Sequence, residues 1–110
     1  MRRMGQVIGL RPGALSEYVR LHTDVETHWP EVAAANRAAH IRNYTIFRLG
    51  ELLFASFEYH GDDFAADMAA LGANAHVQAY WAQVTPLQAP LAERRPGEHW
   101  ATMDELYHGD

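Results

Sequence analysis

Tyr18 and His22 stand four residues apart in the run Tyr18-Val19-Arg20-Leu21-His22. On a helix that spacing puts both side chains on one face, a turn apart. A phenol beside an imidazole can orient a hydroxylated substrate and move a proton near neutral pH. The same spacing also suits a helix packed on a sheet, with the imidazole bonded to a backbone carbonyl. A second aromatic pair, Tyr80-Trp81, lies late in the chain. Helix neighbours diverge by about 100°, so one ring can reach a pocket while the other packs. Such rings suit the apolar face of a sugar or a flat ring, and the phenol or indole adds a donor.

Other chemistries lack their residues. There is no cysteine, which removes thiol nucleophiles and thiolate metal sites and fits a reducing cytoplasm. The seven histidines are spread singly, and none forms the i, i+4 pair with a nearby Glu that marks a helical zinc site. His60 with Asp62 and Asp63 is the nearest approach to a cation site, and the aspartates read better as a helix cap. No glycine-rich phosphate loop or Gly-x-Ser-x-Gly elbow appears, and Ser56 falls mid-strand. No metal is expected, and whatever chemistry exists should be proton movement, or none.

The elements that position these residues follow from pattern. Gly5 to Leu10 reads as a strand, and Arg11-Pro12-Gly13 as a turn. Leu15, Tyr18, Val19 and His22 recur at helical spacing. Pro30 opens a second helix at its first position, continued by Val32 to Ala39. Ile41 to Leu49 and Leu52 to Tyr59 flank Gly50-Glu51 as an antiparallel hairpin. Tyr44 and Ile46 share one face of its first strand; Thr45, Phe47 and Leu49 share the other. His60 to Asp63 turns and caps a helix striped by Phe64, Met68 and Leu71. After Gly72-Ala73-Asn74, Val77, Tyr80, Trp81 and Val84 mark another helix, ended by Pro86. Leu87 to Gly97 reads as extended and irregular, and Trp100 to Tyr107 as a last strand or docking tail.

The order predicts one α+β domain over 1–110, a ferredoxin-like βαββαβ unit with an extended tail from about 87 to 110. Its 110 residues, 48% hydrophobic and 21% charged, suit a single folded domain. Helices cover one sheet face. Aromatics drawn from Tyr44, Phe47, Phe54 and Phe57 would stay wet on the other, so a homodimer is expected. A net charge of -5 with scattered basic residues argues against a nucleic-acid surface. No apolar run approaches the ~20 residues of a membrane span, and the start Met1-Arg2-Arg3-Met4-Gly5 lacks the long apolar stretch of a signal peptide.

Tyr18-x3-His22, Trp29-Pro30-Glu31, Asn43-Tyr44, Leu52-Leu53-Phe54-Ala55 and Gln78-Ala79-Tyr80-Trp81 followed by Pro86 come in an order that resembles the L-rhamnose mutarotase family, from about Val7 to Tyr107. The resemblance implies a dimeric α+β barrel of ferredoxin-like protomers. It also implies a cofactor-independent isomerase that interconverts the α and β anomers of a 6-deoxy sugar. It places the proton donor on His22 and sugar contacts on Tyr18, Tyr44, Tyr80 and Trp81. Two departures stand out. Trp29 follows His22 by seven residues, farther than in the family, so an inserted loop can reshape the pocket or bring His28 into it. The family's late pair is Trp-Trp, where this chain has Tyr80-Trp81. The sugar, L-rhamnose, L-fucose or another deoxy sugar, is left open. Two other functions fit the same barrel, a cofactor-free monooxygenase and a non-catalytic sugar-binding dimer.

Mutarotation itself suits these residues. The hemiacetal opens when the ring oxygen gains a proton and the anomeric hydroxyl loses one. A histidine, with an ordinary pKa of ~6.5, can serve either need. General acid–base help is worth about 10²–10⁴-fold.

Overall fold

The computed structural model describes residues 1–110. Its centre is an antiparallel sheet in the order β2 (Ile41–Leu49), β3 (Leu52–Tyr59), β1 (Arg2–Leu10), β4 (Gln88–Ala89), with β5 (Ala101–Met103) also pairing β1. Strand β1 (Arg2–Leu10) and strand β3 (Leu52–Tyr59) run side by side, Arg2 opposite Tyr59 and Ile8 opposite Leu53. Strand β1 thus begins at Arg2 rather than Gly5, because Arg2, Arg3 and Met4 are held by pairing with the end of β3, a distant partner that local pattern does not reveal. Its other edge is shared by two short strands, β5 (Ala101–Met103) beside Gly5 to Val7 and β4 (Gln88–Ala89) beside Gly9 and Leu10. Gly9 has to be glycine for this: a Cβ there would lie 2.5 Å from the Ala89 carbonyl oxygen.

The hairpin partner β2 (Ile41–Leu49) meets β3 around Gly50-Glu51, with Gly50 at φ 58°. The register shifts between Arg42 and Thr45, where Asn43 takes φ 55°. This bulge sets both Asn43 and Tyr44 opposite Phe57 and turns the Tyr44 ring onto it, stacked at 5.4 Å and 17°.

Strand β3 alternates strictly: Leu53, Ala55, Phe57 and Tyr59 are buried, and Leu52 and Ser56 are exposed. The buried set faces the helices. Tyr44 and Phe57 therefore lie on the helix side, correcting the expectation that grouped them with the wet face. The opposite face keeps Phe47, Leu49, Leu52 and Met103 exposed, at 63%, 74%, 37% and 39%.

Helix α1 (Leu15–His22) buries Tyr18 and Leu21, which with Ala14 form the packing stripe; Val19 points outward instead. Asp24 adopts a left-handed φ of 55° and starts the single turn α2 (Val25–His28). Helix α3 (Pro30–Ala38) follows, with Pro30 at its first turn, where a missing N–H costs nothing. Helices α4 (Phe64–Ala73) and α5 (Ala75–Val84) are capped by side chains: Asp63 accepts from Ala66 N–H, and Asn74 from those of His76 and Val77. The chain then makes a 3-10 turn at Thr85–Leu87 before β4. No helix is long and apolar enough to cross a membrane.

The result is a ferredoxin-like protomer, α+β, with all helices on one side of a curled sheet. Two core clusters form between the layers. One holds Ile8, Leu10, Ala14, Tyr18, Leu21, Leu53 and Val84; the other holds Ala39, Ile41 and Phe57. Members of both border a large cavity.

Candidate active site

The cavity has a volume of about 1060 Å³ and lies between sheet and helices. Tyr18, His22, Tyr44, Tyr80 and Trp81 all line it. Five residues scattered over three elements and a wide stretch of sequence are thus brought to one space. Helix α1 supplies Tyr18 and His22, the bulge of β2 supplies Tyr44, and α5 supplies Tyr80 and Trp81. The segment between His22 and Trp29 contributes Val25 and Glu26 to the wall. His28 does not enter; it is exposed, and its Nδ1 bonds the Thr23 carbonyl at 2.7 Å.

The two nitrogens of His22 are differentiated by their neighbours. Nδ1 lies 2.7 Å from the Tyr18 carbonyl oxygen, which can only accept, so Nδ1 carries the hydrogen. In the neutral ring Nε2 is then a bare lone pair, and it accepts from the Tyr80 hydroxyl. The Tyr18 ring stacks on the imidazole at 4.2 Å and 19°. Burial pushes the His22 pKa below the ordinary imidazole value, and the bond to the Tyr18 carbonyl opposes this. Near neutrality the ring is uncharged and basic at Nε2. Tyr80 is fixed from behind by Trp29, edge to face at 5.3 Å, while the Trp29 indole N–H donates to the Leu21 carbonyl at 3.1 Å.

Tyr18 is positioned by residues that sequence reasoning missed. Gln88, only 3% exposed, donates from Nε2 to the Tyr18 hydroxyl oxygen at 3.2 Å. Its Oε1 in turn accepts from His99 Nε2 at 2.8 Å. With its oxygen already accepting, Tyr18 has its own O–H to donate into the cavity. Burial raises the Tyr18 pKa, and the Gln88 bond opposes it. Burial likewise raises those of Tyr44 and Tyr80, with Tyr18 adding a smaller contribution to each. Tyr44 keeps 43% of its residue surface open on the edge strand, yet its hydroxyl is enclosed. All three phenols hold their protons at neutral pH. A glutamine in an irregular stretch and a lone histidine carry no local pattern, so only their pairing across β4 reveals them.

No group of three His, Asp or Glu side chains has the arrangement of a metal site. His60 pairs with Glu58 at 2.8 Å, and Asp63 is spent on the α4 cap.

A family model described as L-rhamnose mutarotase matches residues 3–109. The chain belongs to the L-rhamnose mutarotase family. It is 30% identical to an L-rhamnose mutarotase of Ligilactobacillus salivarius over 98% of this chain and 97% of that one. It is 32% identical to an L-fucose mutarotase of Xanthomonas campestris over 97% of this chain and 87% of that one. Membership makes the chain a sugar mutarotase, an isomerase acting on anomers. Solved structures share the fold. The L-rhamnose mutarotase FA22100 of Formosa agariphila superposes with a TM-score of 0.75 over 100% of both chains at 19% identity. Tetracenomycin F2 cyclase of Streptomyces glaucescens, a type-II polyketide cyclase, gives 0.71 over 100% of this chain and 98% of that one at 14% identity. The fold is accordingly that of dimeric α+β barrel proteins.

Proposed function

We propose that this mutarotase acts on a 6-deoxy sugar of the L-rhamnose or L-fucose class, without a cofactor, using His22 as its acid–base group. The observation that carries this reading is a basic nitrogen, Nε2 of a neutral and tautomer-fixed His22, in a cavity walled by aromatic rings. Tyr44 and Trp81 offer faces for the apolar side and the methyl group of a deoxy sugar. The hydroxyls of Tyr18 and Tyr80 offer donors to its oxygens. Nε2 takes the proton of the anomeric hydroxyl as the ring opens, and imidazolium returns one on closure. The open form needs room to turn about the bond next to its aldehyde, which the cavity provides.

We further propose that the working unit is a homodimer, with a second sheet covering Phe47, Leu49, Leu52 and Met103. A cysteine-free chain handling a small sugar suits the cytoplasm.

Saturation-transfer NMR across the two anomeric proton signals tests the substrate. Enzyme added to L-rhamnose and to L-fucose is expected to speed exchange of at least one of them far above buffer. Equal rates with and without enzyme for both sugars would rule out this substrate class.

A further inference from the structure

Mutarotation needs one proton taken and one given. The two oxygens on the anomeric carbon, the hydroxyl and the ring oxygen, are held one bond each from the same atom. Two proton carriers serving them must themselves be close neighbours. Nε2 of His22 and the Tyr80 hydroxyl are hydrogen-bonded to each other and line the same cavity. Trp29 and the imidazole both pack edge to face with the Tyr80 ring, at 5.3 and 5.6 Å, and hold that hydroxyl in place. The Tyr18 hydroxyl is bonded to Gln88 and not to Nε2, so it is not paired with the base as Tyr80 is.

We infer that Tyr80 is the second proton carrier, forming with His22 a two-site relay that resets itself within the active site; this rests on the reading of His22 given above. The phenol proton is a rotor and can turn from Nε2 to the ring oxygen when a sugar binds. The freed Nε2 lone pair then takes the proton of the anomeric hydroxyl. The bond from the anomeric carbon to the ring oxygen breaks, its electron pair staying on that oxygen, which receives the Tyr80 proton. The hydroxyl oxygen becomes the aldehyde oxygen. Imidazolium and phenolate are left side by side, and the proton passes directly from Nε2 to the phenolate oxygen. Both groups are restored and no outside acid or base is consumed. Closure on the other face runs the transfers in reverse. Burial, which keeps Tyr80 protonated, also suits the step. As its bond breaks, the ring oxygen acquires alkoxide character and becomes more basic than a phenolate, so the transfer is favourable when needed.

Tyr80→Phe keeps the ring and its packing on Trp29 while removing the carrier. Exchange at saturating L-rhamnose or L-fucose is expected to fall about 10²-fold, with sugar affinity measured by calorimetry changed only a few-fold. Fluorinated tyrosines placed at position 80 alter acidity with little change in shape, so they keep the test sound if Tyr80→Phe folds poorly. The exchange rate is expected to follow their acidity, and the solvent isotope effect to report two protons in flight. Full exchange at saturation in Tyr80→Phe, with weakened affinity or none of these trends, would reduce Tyr80 to a sugar contact and overturn the relay. His22→Ala separates the two readings. If it is inactive while Tyr80→Phe is fully active, only the relay fails; if it is itself fully active, the role of His22 fails and the relay with it.

Discussion

At His22 the two ring nitrogens have opposite tasks. One is spent on a backbone carbonyl in its own helix, and the other is left basic toward the cavity. The plain reading of the Tyr18–His22 spacing, an imidazole bonded to a carbonyl, is met by Nδ1 and leaves Nε2 available for the proposed chemistry. A pH dependence follows. Burial holds the folded pKa of His22 below its ordinary value of ~6.5. Anomer exchange is expected to be flat near neutrality and to fall on acidification with a midpoint below that value, as Nε2 gains a proton. Stability has the same sign. The unfolded chain binds the proton more readily, so the His22 contribution is complete above ~6.5 and is lost as pH falls toward the folded pKa. Urea midpoints measured between pH 8 and 5 are expected to decline on that side, to a lesser degree in His22→Ala. An exchange profile that rises on acidification would contradict a neutral base.

The elements were legible in the sequence where their signals are local. Pro30 at a helix start, the hairpin about Gly50, and Asp63 before α4 are such signals. What local pattern hides is pairing between distant segments. The early start of β1 depends on β3, and β4 exists only because β1 has a free edge for it, whereas β5 falls within the stretch from Trp100 to Tyr107 read as a last strand or docking tail. The bulge at Asn43 is likewise invisible in an unbroken β-branched and aromatic run, and it decides which face Tyr44 takes. The same distance effect hid Gln88 and His99. Gln88→Met is expected to cost about 1 kcal/mol of stability for the lost hydrogen bonds. It should also weaken sugar binding, since the Tyr18 hydroxyl could then turn away. Asn74 anchors the helix that carries Tyr80 and Trp81. Asn74→Ala is expected to cost ~1 kcal/mol in chemical denaturation, and Asn74→Ser to recover most of it. An unchanged denaturation midpoint in Asn74→Ala would show that the cap is not needed.

For the whole molecule, the sheet has one face under helices and one bearing open apolar side chains. Composition and element order were enough to anticipate this two-faced arrangement, although not which aromatics belong to which face. Sedimentation is expected to show a dimer. Phe47→Glu, on the open face and outside the lining of the cavity, should give a monomer that keeps its helical circular dichroism. A monomeric wild type, or a dimer indifferent to Phe47→Glu, would place the interface elsewhere.

The central claim is that His22, held neutral in an aromatic cavity, moves the proton that opens the sugar ring. Saturation transfer between the anomeric signals of the preferred deoxy sugar, with wild type and His22→Ala at equal concentration, tests it most directly. The wild type is expected to exchange the anomers about 10²–10⁴-fold faster than the folded variant. Equal exchange by the two proteins would contradict the claim.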